Sequence, residues 1–139
     1  SMTTTKEMLD LLTYEIIGAA IEVHRYLGPG LLESVYQACM EEELKQQQLS
    51  FKSQLIIPVE YKGLSIDAMI RCDFFVENRI VVEIKAVEKI LPIHEAQLLT
   101  YMKLLKVAKG ILINFNVLSI AKEGKKTFVN DLFRDLPDK

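Results

Sequence analysis

The sequence predicts an α/β fold in which helices cover a mixed four-stranded sheet, with core order α-β-β-β-α-β. Three observations lead there. Apolar residues recur at helical spacing in the first third of the chain, strand-like runs broken by short polar turns follow, and a helix-length segment separates the last two strand signals. A strand, a helix of that length and another strand make a right-handed crossover, so the fourth strand should lie parallel to the third.

In order along the chain, the segment Lys6 to Tyr26 carries Leu9, Leu12, Ile16, Ala19, Ala20 and Val23 at helical spacing. Gly28, Pro29 and Gly30 end it, because neither residue type continues a helix well. A second helix is expected from about Leu31 to Gln47, with Leu32, Val35, Tyr36, Cys39, Met40 and Leu44 as its apolar stripe. Strands are expected over Leu55 to Tyr61, where Pro58 suggests an edge, and over Ser65 to Val76 and Ile80 to Val87. Lys62-Gly63 and Glu77-Asn78-Arg79 are the connecting turns. Pro92 opens a helix reaching to about Val107, and Gly110 leads into the strand GILINFN. In the tail, Lys122-Glu123-Gly124-Lys125 reads as a hairpin turn before Thr127-Phe128-Val129.

The 139 residues are enough for one domain and too few for two, so residues 1–139 are read as one unit: helix 6–26, core 31–116, tail 117–139. Ser1 ahead of Met2 reads as an added residue. Half the residues are hydrophobic and 26% are charged, an ordinary globular composition. No apolar run has the length of a membrane span, and no charged segment precedes a short apolar one as in a secretory signal. Cys39 and Cys72 are therefore expected as reduced thiols in a cytoplasmic protein. The net charge of −2 argues against a general nucleic-acid coat, but its distribution is uneven: residues 1–84 sum to −6 and residues 85–126 to +5. The basic half could face a polyanion, or its lysines could simply be solvated.

The stretch CDFFVENRIVVEIKAV, residues 72–87, places Asp73, Glu83 and Lys85 inside two apolar strands. In a hairpin symmetric about Asn78, Val76 faces Ile80 and Asp73 faces Glu83, with Cβ atoms about 4.5–5.5 Å apart on one sheet face. Lys85, two residues on, shares that face. Like charges directly opposite destabilise a sheet, and a divalent cation between them would reverse the sign. Mg²⁺ suits two carboxylates plus waters and substrate phosphate. Alternatively, Lys85 neutralises one acid and Arg71, its opposite number in this register, the other.

Two further groups bear on that site. Glu33 stands in the first turn of the second helix, three residues before Tyr36, where an acid also complements the helix N-terminus. His94, Gln97 and Tyr101 make a polar edge beside the apolar Leu98, Leu99, Met102 and Leu105, on the helix that follows the strand of Glu83 and Lys85. Serine or cysteine hydrolase chemistry finds no support: neither cysteine has a nucleophile setting, and His24 reads as a helix-surface residue.

Asp73 followed by Glu83-Ile84-Lys85 resembles the D…(D/E)xK signature of the PD-(D/E)XK nuclease superfamily, whose core is also α-β-β-β-α-β. Gly30-Leu31-Leu32-Glu33-Ser34-Val35-Tyr36 is similar to the motif that names the GxxExxY protein family, a branch of that superfamily. The resemblance runs from Ile17 to about Asn116 and implies a restriction-endonuclease-like fold. It further implies that Asp73, Glu83 and Glu33 hold a metal, Mg²⁺ or Mn²⁺ in its place, and that Lys85 positions water or stabilises charge. Gln97 and Tyr101 resemble the Q-x-x-x-Y element of RecB-like nucleases. Cys72 stands where the superfamily's name has proline.

The activity implied is hydrolysis of nucleic acid, most naturally DNA in repair or defence, by metal-activated water. Phosphate contacts fall to Lys89, Lys103 and Lys106, joined by Lys109, Lys125 and Lys126. So small a unit has little surface for reading sequence, and a homodimer or larger protein partner is expected to supply it. The alternative is a catalytically silent nuclease-like module that binds nucleic acid or a protein. A further alternative is an interaction protein that docks through Glu41-Glu42-Glu43.

Overall fold

The computed structural model describes residues 3–139; Ser1 and Met2 lie outside the described residues. Helix α1 (Lys6–Leu27) starts where the Thr5 hydroxyl accepts the Met8 N–H at 3.1 Å, and ends where Gly28 turns the chain at φ 68°. All six residues of its expected stripe are buried. Helix α2 (Glu33–Gln46) buries Tyr36, Met40 and Leu44. Leu32 and Val35, expected in that stripe, are exposed: Leu32 precedes the first helical turn, and Val35 faces outward.

Five strands follow in the spatial order β1 (Phe51–Tyr61), β2 (Leu64–Val76), β3 (Ile80–Lys85), β4 (Lys109–Asn114) and β5 (Lys125–Val129). Only β3 and β4 pair in parallel, joined through α3 (Pro92–Leu105) as the crossover argument requires. The mixed sheet thus has five strands rather than the four expected, because the tail adds β5 antiparallel to β4. Before β5, residues Ile120–Gly124 form a π-helical turn instead of a hairpin turn. A short helix, α4 (Asp131–Arg134), capped by the Asn130 side chain, follows β5 where the sequence suggests only a tail.

The sheet separates two apolar layers. Phe74, Val76, Ile80, Val82, Ile84, Ile111 and Ile113 pack with α1 and α2, while Phe75, Val81 and Leu112 pack with Leu98, Tyr101 and Met102 of α3. Gly110 allows the close approach of α3, since a Cβ there would lie 2.7 Å from Met102 Sδ. Strand β1 is an edge, in keeping with Pro58; that proline and a register shift between Ile57 and Val59 interrupt the open ladder that a second sheet would pair with.

The β1–β2 hairpin carries a second irregularity, and it falls beside Asp73. Strict alternation would place Phe51 with Leu55 and Cys72 with Phe74. Instead Phe51 and Phe74 join the α1–α2 layer, and Leu55 and Cys72 the α3 layer. The hairpin turns over at Gln54, which takes a left-handed conformation (φ 53°), and at Asp73 between those pairs. Beyond that point the hairpin leaves the body of the sheet, exposing Ile56, Tyr61, Leu64 and Met69.

Gly124 tests the packing of the tail. A Cβ there would lie 2.8 Å from the Asn114 carbonyl oxygen and 2.9 Å from Val117 Cγ2. Gly124→Ala is expected to cost about 1–3 kcal/mol in urea unfolding with the far-ultraviolet spectrum retained; an unchanged midpoint would show that the turn is slack.

Candidate active site

The β2–β3 register is the one expected, with Val76 opposite Ile80 and Phe74 opposite Val82. The ladder stops there. At the next step the side chains take over: the Asp73 N–H donates to Glu83 Oε2 at 2.7 Å, and the Ile84 N–H donates to Asp73 Oδ2 at 2.8 Å. The strands therefore part at the two acids, each of which satisfies a backbone donor on or beside the other. Gln54, at the turnover of β1, donates from Nε2 to Asp73 Oδ1 at 3.1 Å.

These bonds leave the negative charge largely uncompensated. Among the described residues no ion pair within 4.0 Å joins Asp73 or Glu83 to a cation. Burial first, and the Asp73 carboxylate second, push the Glu83 carboxyl up to about 8; Glu83 is only 4% exposed. Burial also raises Asp73, against the lowering effect of the Ile84 and Gln54 hydrogen bonds and the nearby Lys85 charge. Arg71, expected opposite Lys85, has no partner in β3 because the ladder ends at Phe74; it is exposed and forms no ion pair with either acid. Burial and both acids raise the Cys72 thiol to about 12, which leaves it protonated and unfit as a nucleophile.

Glu33 comes to the same place from the other side. It is the first residue of α2, and its carboxyl is raised by partial burial and then by Asp73, while Lys85 and His94 lower it. Tyr36 explains the spacing of the motif. Its ring is fully buried and stacks on Phe115 at 4.4 Å, and its hydroxyl donates to the Gly28 carbonyl at 2.6 Å and accepts the Leu31 N–H at 3.2 Å. Tyr36 thus holds the loop that delivers Glu33. Gln37 ties α2 to the hairpin by donating to Ser53 Oγ at 3.0 Å and the Asp73 carbonyl at 3.3 Å. Glu41 accepts from the Ser53 hydroxyl, so it belongs to this scaffold rather than to a free acidic docking face. Among the described residues no group of three or more His, Cys, Asp or Glu side chains is placed to hold a metal ion: the strands bring Asp73 and Glu83 together, and Glu33 reaches them only through its electrostatic effect.

Helix α3 packs on the sheet against β3 and β4. The Leu91 N–H donates to His94 Nδ1 at 3.0 Å, which fixes the imidazole at the start of the helix. Tyr101 is buried, and its hydroxyl is raised by burial and then by Glu83 and Asp73. Gln97 is exposed one turn away. Asn114 clamps the exit from β3, accepting the Val87 N–H at 3.1 Å and donating to the Val87 carbonyl at 2.9 Å.

The lysines divide. Lys89 is exposed in the loop after β3, at the carboxylate end of the sheet. Lys126 pairs with Leu112, which pairs with Glu83, so it stands two strands from that acid, and it bonds Glu95 in the first turn of α3 at 3.0 Å. Lys103 and Lys106 are exposed at the other end of α3, roughly 20 Å along its axis. Lys109 is not a surface cation: it is buried, paired with Asp10 at 3.2 Å and set against the Phe133 ring. His24 also departs from expectation, being half-buried and hydrogen-bonded to the Val117 carbonyl at 2.8 Å. Gln54, Gln37 and Asn114 carry no sequence signal, because their roles arise only where separate elements meet.

The family model described as the PD-(D/E)XK nuclease superfamily matches residues 10–127. The chain belongs to that superfamily. No curated protein and no solved structure matches it. Among the described residues no helix is long and apolar enough to cross a membrane.

The raised Glu83 carboxyl gives a signed pH dependence. From its usual value near 4.5 up to about 8, the folded chain holds a proton that the unfolded chain has released. Metal-free stability should therefore fall as pH rises through that window. Glu83→Gln, which keeps an acceptor for the Asp73 N–H, should flatten the fall and stabilise the protein by roughly 1–2 kcal/mol at high pH. Parallel profiles for the two proteins in chelator would contradict this assignment.

Proposed function

We propose that the chain is a metal-dependent phosphodiesterase of nucleic acid, acting on DNA, with Asp73, Glu83 and Lys85 at its centre. The observation that carries this reading is the buried pair of acids at the parting of β2 and β3, with Lys85 nearby and no cation bonded to either. Membership of a nuclease superfamily supports the same class of reaction.

The donor set fits a hard divalent cation. Carboxylate oxygens are the ligands Mg²⁺ prefers, and two carboxylates with waters and a substrate phosphate make up an octahedral shell. Asp73 and Glu83 would hold Mg²⁺, or Mn²⁺ in its place, with Glu33 reaching the shell through water. Bound there, the ion supplies an acidified water and polarises the phosphate. Lys85 orients the attacking water or takes up charge developing on the phosphate. Gln97 and Tyr101, on α3, hold the acids and the nucleic-acid backbone in place. Lys89 and Lys126 contact phosphates near the scissile bond. Lys103 and Lys106 are reached only by a duplex running along α3, about six base pairs at roughly 3.4 Å each. A second copy or a larger partner adds recognition surface. A silent binding module would keep the fold, but it gives no reason to bury two carboxyl groups side by side.

Incubation with plasmid, single-stranded DNA and RNA in Mn²⁺ tests the proposal. Cleavage of DNA should fall at least ~10²-fold in Asp73→Asn and in Lys85→Ala, with folding retained. Cleavage that persists in Lys85→Ala would overturn the assignment, and Mn²⁺ binding without cleavage of any substrate would favour the silent module.

A further inference from the structure

Helix α1 carries a second stripe besides the one that faces the core. Glu7, Leu11, Tyr14, Gly18, Ile21 and Arg25 advance by four, three, four, three and four residues, and every one of them is exposed. Leu11 is 60% exposed, Tyr14 79% and Ile21 40%. Alternating steps of three and four trace the seam of a coiled coil. A helix that only covers a sheet turns charged and polar residues outward. Here the outward face is apolar in the middle, with an acid at one end and a base at the other.

We infer that this seam is the contact surface for a second copy of the same chain, the two α1 helices packing antiparallel about a two-fold axis level with Ile16. In that register Leu11 lies against the partner's Ile21, Tyr14 over the partner's Gly18, and Glu7 against the partner's Arg25. The two-fold repeats each contact. Three features select this arrangement. A Cβ on Gly18 would meet nothing within 4 Å, so its backbone lies open to a tyrosine ring. The charged ends are complementary only when the helices run in opposite directions, since a parallel pair sets acid against acid and base against base. Arg25 bonds Glu22 within its own helix, and its five donors leave room for a second carboxylate.

Another exposed apolar region, the tip of the β1–β2 hairpin, offers no such self-complementary pattern, and its edge is interrupted at Pro58. The α1 seam includes none of Asp73, Glu83 and Lys85, so dimerisation through it is independent of the proposed hydrolytic activity.

Sedimentation of the full chain over a wide concentration range tests it. The wild-type protein should show reversible monomer–dimer exchange. L11E should abolish the dimer, and E7R or R25E alone should weaken it at least about tenfold. The double variant E7R/R25E, which rebuilds both charge pairs with reversed sign, should return to within about threefold of wild type. Because all the substituted residues are exposed, circular dichroism and melting of each variant should report an intact fold. A chain that stays monomeric throughout, a dimer indifferent to L11E, or a double variant no stronger than the singles would each overturn the inference.

Discussion

Two carboxylates are held where two strands separate, and much of the architecture around them makes that possible. Up to Phe74 and Val82 the strands β2 and β3 bond through their backbones in the ordinary way. One residue further, Asp73 and Glu83 replace the ladder with side-chain bonds to backbone amides. Those bonds satisfy donors that would otherwise be orphaned, and they fix the acids in place. They do not neutralise the charge. Buried carboxylates of like sign raise each other's proton affinity, and only a cation or a proton relieves them. Below about pH 8 a proton on Glu83 relieves the pair, and above it the two charges repel each other inside the protein.

The scaffold can be followed outward from this pair. Gln54 turns the hairpin over and braces Asp73 from β1. Gln37 fastens α2 to the Asp73 carbonyl, and Tyr36 fixes the loop before α2, so Glu33 is carried toward the pair by a helix start rather than by a free loop. On the opposite face of the sheet from α1, helix α3 closes over Glu83 with Tyr101 and sets His94 at its first turn. Asn114 holds the segment between β3 and α3 against β4. The bonds of Gln54, Gln37 and Asn114 join elements distant in sequence, which makes the site dependent on the completed fold, whereas those of Tyr36 and His94 are local.

Much of this is legible in the sequence, and the limits are physical. The stripe of α1 repeats at helical spacing from Leu9 to Val23, and such a pattern has one reading. The β2–β3 register follows from the turn around Asn78 and the need to keep Phe74, Val76, Ile80 and Val82 in one layer. Strand β5 escapes notice as a sheet member because Lys125-Lys126-Thr127-Phe128-Val129 is short and exposed along most of its length, and gains its identity only from β4. The first four residues of β1 are hidden by the break at Gln54, which spoils the alternation a strand should show. Lys109 misleads for a related reason: a lysine ordinarily seeks water, and its burial depends on Asp10, 99 residues away. Gln54 and Gln37 are invisible because an isolated glutamine carries no pattern.

A crystal structure of the protein soaked in Mn²⁺ above pH 8, with anomalous scattering used to locate the ion, asks most directly whether a cation relieves the buried pair. An anomalous peak is expected in reach of both the Asp73 and Glu83 carboxylates, with Lys85 beside it. An empty map there, with the two acids still bonded only to each other's strands, would contradict the metal-centred reading.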